Sequence, residues 1–178
     1  IDSLYNRYLS RSHNWKNLWR EDYEWQGMRG FIMPKDTAGN WLDSVRWGKS
    51  KVFAPKIPYR PDTKVAPWNL PWWNSFFYEA LSAEYSLSMP HDVPQLIKLC
   101  GGEKIFISRL DTFFKNGHYN VANEPSFLTP WLYHWAGHPE MSLDRIRQII
   151  NDNYDDTPDG LPGNDDSGAM SSWLVFNM

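Results

Sequence analysis

Residues 129–154 read TPWLYHWAGHPEMSLDRIRQIINDNY, and two helices can be drawn through them from local chemistry alone. Pro130 suits a first helical turn, where its missing N–H is no loss, and Gly137 suits the left-handed residue that closes a helix. A second helix follows, with Ser142 as its N-cap and Leu143, Ile146, Ile149 and Ile150 on one face. Two helices joined by so short a turn run side by side in opposite directions, so the stretch predicts an antiparallel helical hairpin.

The same punctuation extends outward. Lys104 to Lys115 reads as a helix ended by Asn116-Gly117, and Pro94 to Leu99 as a short one opened by His91-Asp92 and closed by Gly101-Gly102. NSFFYEALSAEYSLS, residues 74–88, is compatible with a helix, as is 3–19, where Leu4, Tyr5, Tyr8, Leu9, Trp15, Leu18 and Trp19 recur at helical spacing. A last helix is expected from near Ser167 to Met178. Between Gly27 and Trp73 the glycines and prolines come too often for a helix, which predicts a long ordered loop, with room for short strands, covering a site. The fold class that follows is all-α: antiparallel helical hairpins with long Trp/Pro/Gly-rich loops.

Composition narrows the function. At 178 residues the chain is long enough for one core, and its net charge of −3, without long charged runs, gives no reason to expect nucleic acid or an anionic membrane as partner. No apolar run approaches a membrane span, and the first residues lack a signal-peptide pattern. The single Cys100 excludes an internal disulfide framework. The 11 tryptophans point further, because Trp15, Trp19, Trp25, Trp41, Trp47, Trp68, Trp72 and Trp73 crowd into or beside the loop-rich region, and flat aromatic faces stack on sugar rings. Carbohydrate is the ligand class this favours.

Four groups of polar residues carry candidate chemistry. Asp165 and Asp166 sit between glycines at the mouth of the last helix; one can be an ordinary cap, while a second carboxylate steadied by the helix N-terminus suits a general base. Glu79, among Phe76, Phe77, Tyr78 and Leu81, has neighbours that would desolvate a carboxyl and suit a general acid, with Glu84 as its rival. Two carboxyls with contrasting surroundings are what glycoside hydrolysis requires. Asn123 and Glu124 precede Pro125 in a turn, and their hard oxygens suit Ca²⁺ better than Zn²⁺. His91-Asp92 can be a helix-opening pair. Two weaker patterns remain: Asp155 to Asp166 mimics a calcium-binding EF-hand loop but carries Pro158 and Pro162, and His134 with His138 has helix-face spacing rather than a zinc pattern.

Four blocks in order, HNWKNLW (13–19), YEALSAEYSLSMPHDVPQLI (78–97), NEPSFLTPWLY (123–133) and GLPGNDDSGAMSSWLVFNM (160–178), resemble glycoside hydrolase family 92, the calcium-dependent exo-acting α-mannosidases. The YEALSAEYS form is similar to fungal members; Ala83 and Glu84 stand where bacterial ones carry Trp and Gln, which bears on the leaving-sugar subsite. The resemblance implies a catalytic domain built as an (α/α)₆ barrel, inversion at the anomeric carbon, Ca²⁺ on the mannose hydroxyls, secretion, and mannose-containing glycans as substrate. It assigns Glu79 as general acid and Asp166 as general base with Asp165 beside it. It places Trp15, His91, Asp92, Asn123 and Glu124 at the substrate, with Asn123 and Glu124 near the metal. Inversion needs room for a water, so the Glu79 and Asp166 carboxyls are expected roughly 6.5–9.5 Å apart.

The resemblance also implies that residues 1–178 are part of a larger unit, whose N-terminal β-sandwich and first part of the barrel lie outside them. Half a barrel would leave apolar helix faces open to water. The alternative expectation is a non-catalytic carbohydrate-binding or scaffold remnant that keeps the loops and acids without the frame that positions them.

Overall fold

A computed structural model describes residues 2–46, 55–63 and 76–178. Trp47, Trp68, Trp72 and Trp73, with much of the expected long loop, lie outside the described residues. The described chain is mainly helical, with α1 (Asp2–Ser12), α2 (Ser82–Tyr85), α3 (Val93–Leu99), α4 (Glu103–Lys115), α5 (Leu132–Trp135), α6 (Pro139–Asn153) and α7 (Ala169–Asn177). Four short strands accompany them: β1 (Trp19–Trp25), β2 (Met28–Ile32), β3 (Ser44–Arg46) and β4 (Lys56–Pro58).

β2, β3 and β4 are the short strands for which the stretch from Gly27 to Trp73 leaves room, whereas β1 precedes that stretch and is unexpected. β1 and β2 pair antiparallel with Trp25 opposite Met28, so Gln26 and Gly27 form a two-residue turn, and both have positive φ, at 52° and 76°. Two successive left-handed residues give the turn whose twist matches a hairpin, which is why the chain reverses there. β3 and β4 form a second antiparallel pair through Val45 and Ile57. The first helix is also shorter than expected, because a 3₁₀ turn, Asn14–Leu18, takes the chain from α1 into β1.

The principal core lies between β1, β2 and the helices, with Trp19, Ile32, Leu87, Val93, Leu96, Phe106, Leu110, Phe113, Leu132 and Tyr133 all buried. A fully buried Leu or Phe contributes about 1.5–3 kcal/mol, so this cluster dominates what holds α3, α4 and α5 together. Arg109 enters it from α4 as a buried guanidinium, donating to the backbone carbonyls of Arg29 and Gly30 at 2.8 and 2.7 Å and lying over the Phe31 ring. The second cluster, Met28, Phe31, Met33, Val45 and Tyr59, joins the two hairpins.

The helical hairpin of the opening stretch is present, with one correction. α6 starts at Pro139, not after Ser142; Ser142 is fully buried, and its hydroxyl accepts the His134 N–H at 3.0 Å, tying α6 to α5. That turns Ser142, Ile146 and Ile149 inward and leaves Leu143 exposed. Ile146 and Ile149 pack with Tyr154 and with Trp173 of α7, whose ring stacks on Tyr154 at 5.8 Å between centroids. This third cluster fixes where α7 begins.

Apolar side chains remain on the surface. α1 buries none of its residues, and Leu4, Tyr5, Tyr8 and Leu9 are all exposed, as are Val175 and Phe176 on α7. No helix among the described residues is long and apolar enough to cross a membrane.

Candidate active site

A cavity of about 360 Å³ opens where three segments meet. Glu79 comes from the bend before α2, Asn123 and Glu124 from the turn leading to α5, and Asp166 from the loop before α7. Asn120 and Asn164 add two further amides to the lining, and Ala122, Pro162 and Gly163 supply its backbone-rich floor. Carboxylates and amides around an open cleft suit a hydroxyl-rich ligand rather than an apolar one.

Local chemistry explains how the segments converge. The Trp173 indole N–H donates to the Phe127 carbonyl at 3.2 Å and so ties α7 to the turn at 123–131. Gly163 lets the 160–168 loop lie directly on that turn, since a Cβ there would sit 2.6 Å from the Ala122 carbonyl oxygen. Glu79 is held from the other side, because the Asn123 side-chain amide donates to its backbone carbonyl.

The backbone is unusual at Glu79 and on both sides of Asp166. Glu79 has φ of 60°, and Asp165 and Ser167 have 51° and 53°. Non-glycine residues in this left-handed region cost of order 1–3 kcal/mol each and persist where the surroundings over-determine them. At Glu79 the Asn123 bond is part of that surround. A bend, not a helix, therefore carries Glu79; within the described residues 76–88 of the expected helix only α2 is helical, and Phe76 and Tyr78 are exposed rather than burying the carboxyl.

The adjacent aspartates separate. Asp165 accepts the Ser171 N–H at 2.8 Å and the Ser171 hydroxyl at 2.6 Å, and these bonds hold its carboxyl below the usual carboxylate range. It is the structural member, clamped to the first turn of α7. Asp166 instead lines the cavity with Glu79. Tyr78 registers both acids: its phenol is pushed up chiefly by a hydrogen bond to the Glu79 carboxylate and by that charge, with a further contribution from Asp166.

Other sequence candidates lie elsewhere. Trp15 and His13 both bond Asp92 Oδ2 at 3.1 Å, and His91 Nε2 donates to the Ser12 carbonyl at 2.8 Å, a latch between the first turns of the chain and α3. None of Trp15, His91 and Asp92 lines the cavity formed by the described residues. Trp19 and Trp173 are buried in cores, and Trp41 carries Lys35 over its ring at 4.1 Å. Glu84 is buried and bonded to Leu81 and Ser126, which removes it from competition with Glu79. The EF-hand pattern fails because Asp155 Oδ1 is turned onto its own loop, accepting the Thr157 N–H at 2.8 Å. His138 pairs with Glu140 and makes no site with His134.

Among the described residues no three His, Cys, Asp or Glu side chains are grouped as a ready-made metal cage. Asn123 and Glu124 nevertheless fit a hard cation. The Asn123 amide nitrogen is engaged by Glu79, which leaves its Oδ1 as the acceptor, and Glu124 lines the same cleft. Calcium takes six to eight oxygens and accepts water or ligand hydroxyls among them, so two protein donors are a partial shell of the right chemistry.

Asn120 and Asn164 were not singled out by sequence reasoning. Asn164 adjoins the Asp pair and could have been found from that proximity; Asn120 carries no local signal, its side chain also accepting the Ala122 N–H at 3.1 Å.

The model of the glycosyl hydrolase family 92 catalytic domain matches residues 2–178. A protein of Arthroderma benhamiae described as an uncharacterized secreted glycosidase is 35% identical over 182 residues, covering 98% of this chain and 22% of its own length. The structure of a family GH92 alpha-mannosidase from Bacteroides thetaiotaomicron in complex with mannoimidazole matches with a TM-score of 0.78 and 26% identity, over 99% of this chain and 22% of that one. A structure of the same enzyme whose description names no ligand gives 0.75. The chain thus spans about a fifth of the length of the relatives it matches.

Proposed function

The chain belongs to glycosyl hydrolase family 92, and from that premise we propose that it supplies the acid–base half of a secreted, inverting exo-α-mannosidase acting on mannose-containing glycans. The observation that carries the proposal is the convergence of Glu79 and Asp166, from distant parts of the chain, on one cleft lined with amides. In this reading Glu79 gives its proton to the glycosidic oxygen as the bond from that oxygen to the anomeric carbon breaks. A water attacks the opposite face of the same carbon and passes its proton to Asp166. Asn120, Asn123 and Asn164 line the cleft, and in this reading their amides bond sugar hydroxyls.

Asn123 and Glu124 are the residues that would hold calcium, and a bound cation there supplies Lewis-acid polarisation of sugar hydroxyls. The rest of the frame, an (α/α)₆ barrel, is proposed to come from a larger catalytic domain. The bare apolar stripe of α1 supports this, since Leu4, Tyr5, Tyr8 and Leu9 meet no core within the described residues.

Release of the chromophore from a chromogenic α-mannoside by the protein as naturally produced, with and without a chelator, tests the proposal. Chelator-sensitive release is expected. Mannose binding without any release would replace it with a carbohydrate-binding role.

A further inference from the structure

Glu84 is 5% exposed, and a carboxylate is costly to bury unless hydrogen bonds replace its water. Its oxygens are shared between two segments. Oε2 accepts the Leu81 N–H at 2.8 Å, two residues beyond Glu79, and Oε1 accepts the Ser126 hydroxyl at 3.0 Å, in the 3₁₀ turn that begins with Glu124. One side chain therefore spans from the wall that carries Glu79 to the wall that carries Asn123 and Glu124.

The platform beneath it is fixed. The Ser82 hydroxyl donates to the Ile32 carbonyl. The Ser86 hydroxyl accepts the Ile32 N–H at 2.8 Å and donates to the Ser82 carbonyl at 2.6 Å, so α2 is pinned to the end of β2 at both of its edges. On the cavity side, the Asn123 amide ties the same two walls together through the Glu79 carbonyl. Glu84 and Asn123 are two rungs across one gap, and only Asn123 lines the cleft.

We infer that Glu84 is a positioning residue: by bridging Leu81 and Ser126 it sets where the Glu79 carboxyl stands relative to the Asn123–Glu124 wall. This rests on the assignment of Glu79 as proton donor. A misplacement of the order of 1 Å between catalytic group and substrate costs about a hundredfold in rate, so a lost rung is felt in turnover more than in binding. Gln can keep both contacts, its oxygen accepting from Leu81 and its amide donating to a reoriented Ser126 hydroxyl, whereas Ala keeps neither.

The experiment compares Glu84→Ala, Glu84→Gln and the milder Ser126→Ala in the protein as naturally produced, each on an activated aryl α-mannoside and on an alkyl or disaccharide α-mannoside whose leaving oxygen needs a proton. Glu84→Ala and Ser126→Ala are expected to lower kcat on the poor leaving group by about ten- to a hundredfold, with a much smaller loss on the activated one and little change in KM. Glu84→Gln is expected to recover most of the loss. Equal losses on both substrates, tracking the folded fraction, or no loss at all, would overturn the positioning role while leaving Glu79 in place. Full activity of Glu79→Gln on the poor leaving group, or no hydrolysis by the unaltered protein, would overturn the underlying assignment and this inference with it.

Discussion

The carboxylate of Asp165 closes twice on Ser171, at 2.8 Å from its backbone N–H and 2.6 Å from its hydroxyl, and so turns away from the cavity that its neighbour Asp166 lines. A pair of acids that looks redundant in the sequence is divided between holding α7 and facing the cleft. Asp165→Asn is therefore expected to lower the thermal midpoint, and Asp166→Asn to leave it nearly unchanged while turnover falls. Differential scanning fluorimetry beside a rate assay separates the two; reversed effects would reverse the assignment.

The Asp165 contribution has a defined pH window. Its folded pKa is depressed by the Ser171 bonds, so the stability it supplies is present above the ordinary carboxylate value of about 3.9 and is lost as pH falls through the lowered folded value. Ser171→Ala should make the acid limb of a midpoint-against-pH curve shallower. An unchanged limb would show that other groups govern it.

His118 sets a second window near neutrality. Burial beside Trp25 and Phe113 lowers its pKa, against a smaller opposing pull from Asp62, and its Nε2 donates to Gln26 at the hairpin tip. The stability it supplies is complete above about 6.5 and declines as pH falls through the lowered folded value. Thermal midpoints at pH 7.5 and 5.5 should differ less in His118→Gln than in the unaltered protein; an equal difference would remove His118 from this role.

Asn123 supports the left-handed backbone of Glu79 through its side-chain amide. Asn123→Ala is expected to cost about 1 kcal/mol of stability, the usual worth of one such bond. Loss of activity should exceed what that destabilisation explains, because the freed Glu79 can relax out of the positive-φ region. Chemical denaturation together with kcat at a temperature well below the midpoint tests both halves of the statement.

Much of this was legible in the letters because the signals were local. α3, α4 and α7 follow from glycine stops, a proline start and apolar spacing, and the family blocks single out Glu79 and the Asp pair. What was not legible depended on tertiary partners. Ser142 reads as a cap, yet it is drawn inside α6 by the His134 N–H, and that rotates Leu143 to the surface. Residues 19–25 have apolar side chains that fit either period, and only the paired left-handed residues Gln26 and Gly27 decide for a hairpin. Which aspartate caps and which faces the cleft is a matter of side-chain direction, and adjacent letters carry no such information.

Glu79→Gln tests the proposed role of Glu79 as proton donor. On an α-mannoside with a poor leaving group, turnover should fall by about 10²–10⁴-fold, while an activated aryl mannoside, which departs without a proton, should lose far less. Similar losses on both would mean that Glu79 does something other than protonate the leaving oxygen.

The most direct test of two carboxyls acting across a sugar, with a water between it and the base, is the configuration of the first sugar released. Proton NMR recorded during the opening minutes of α-mannoside hydrolysis by the protein as naturally produced is predicted to show β-mannose appearing first and converting to the equilibrium mixture by mutarotation. α-Mannose appearing first would mean retention through a covalent intermediate, and would contradict the pairing of Glu79 as acid with Asp166 as base.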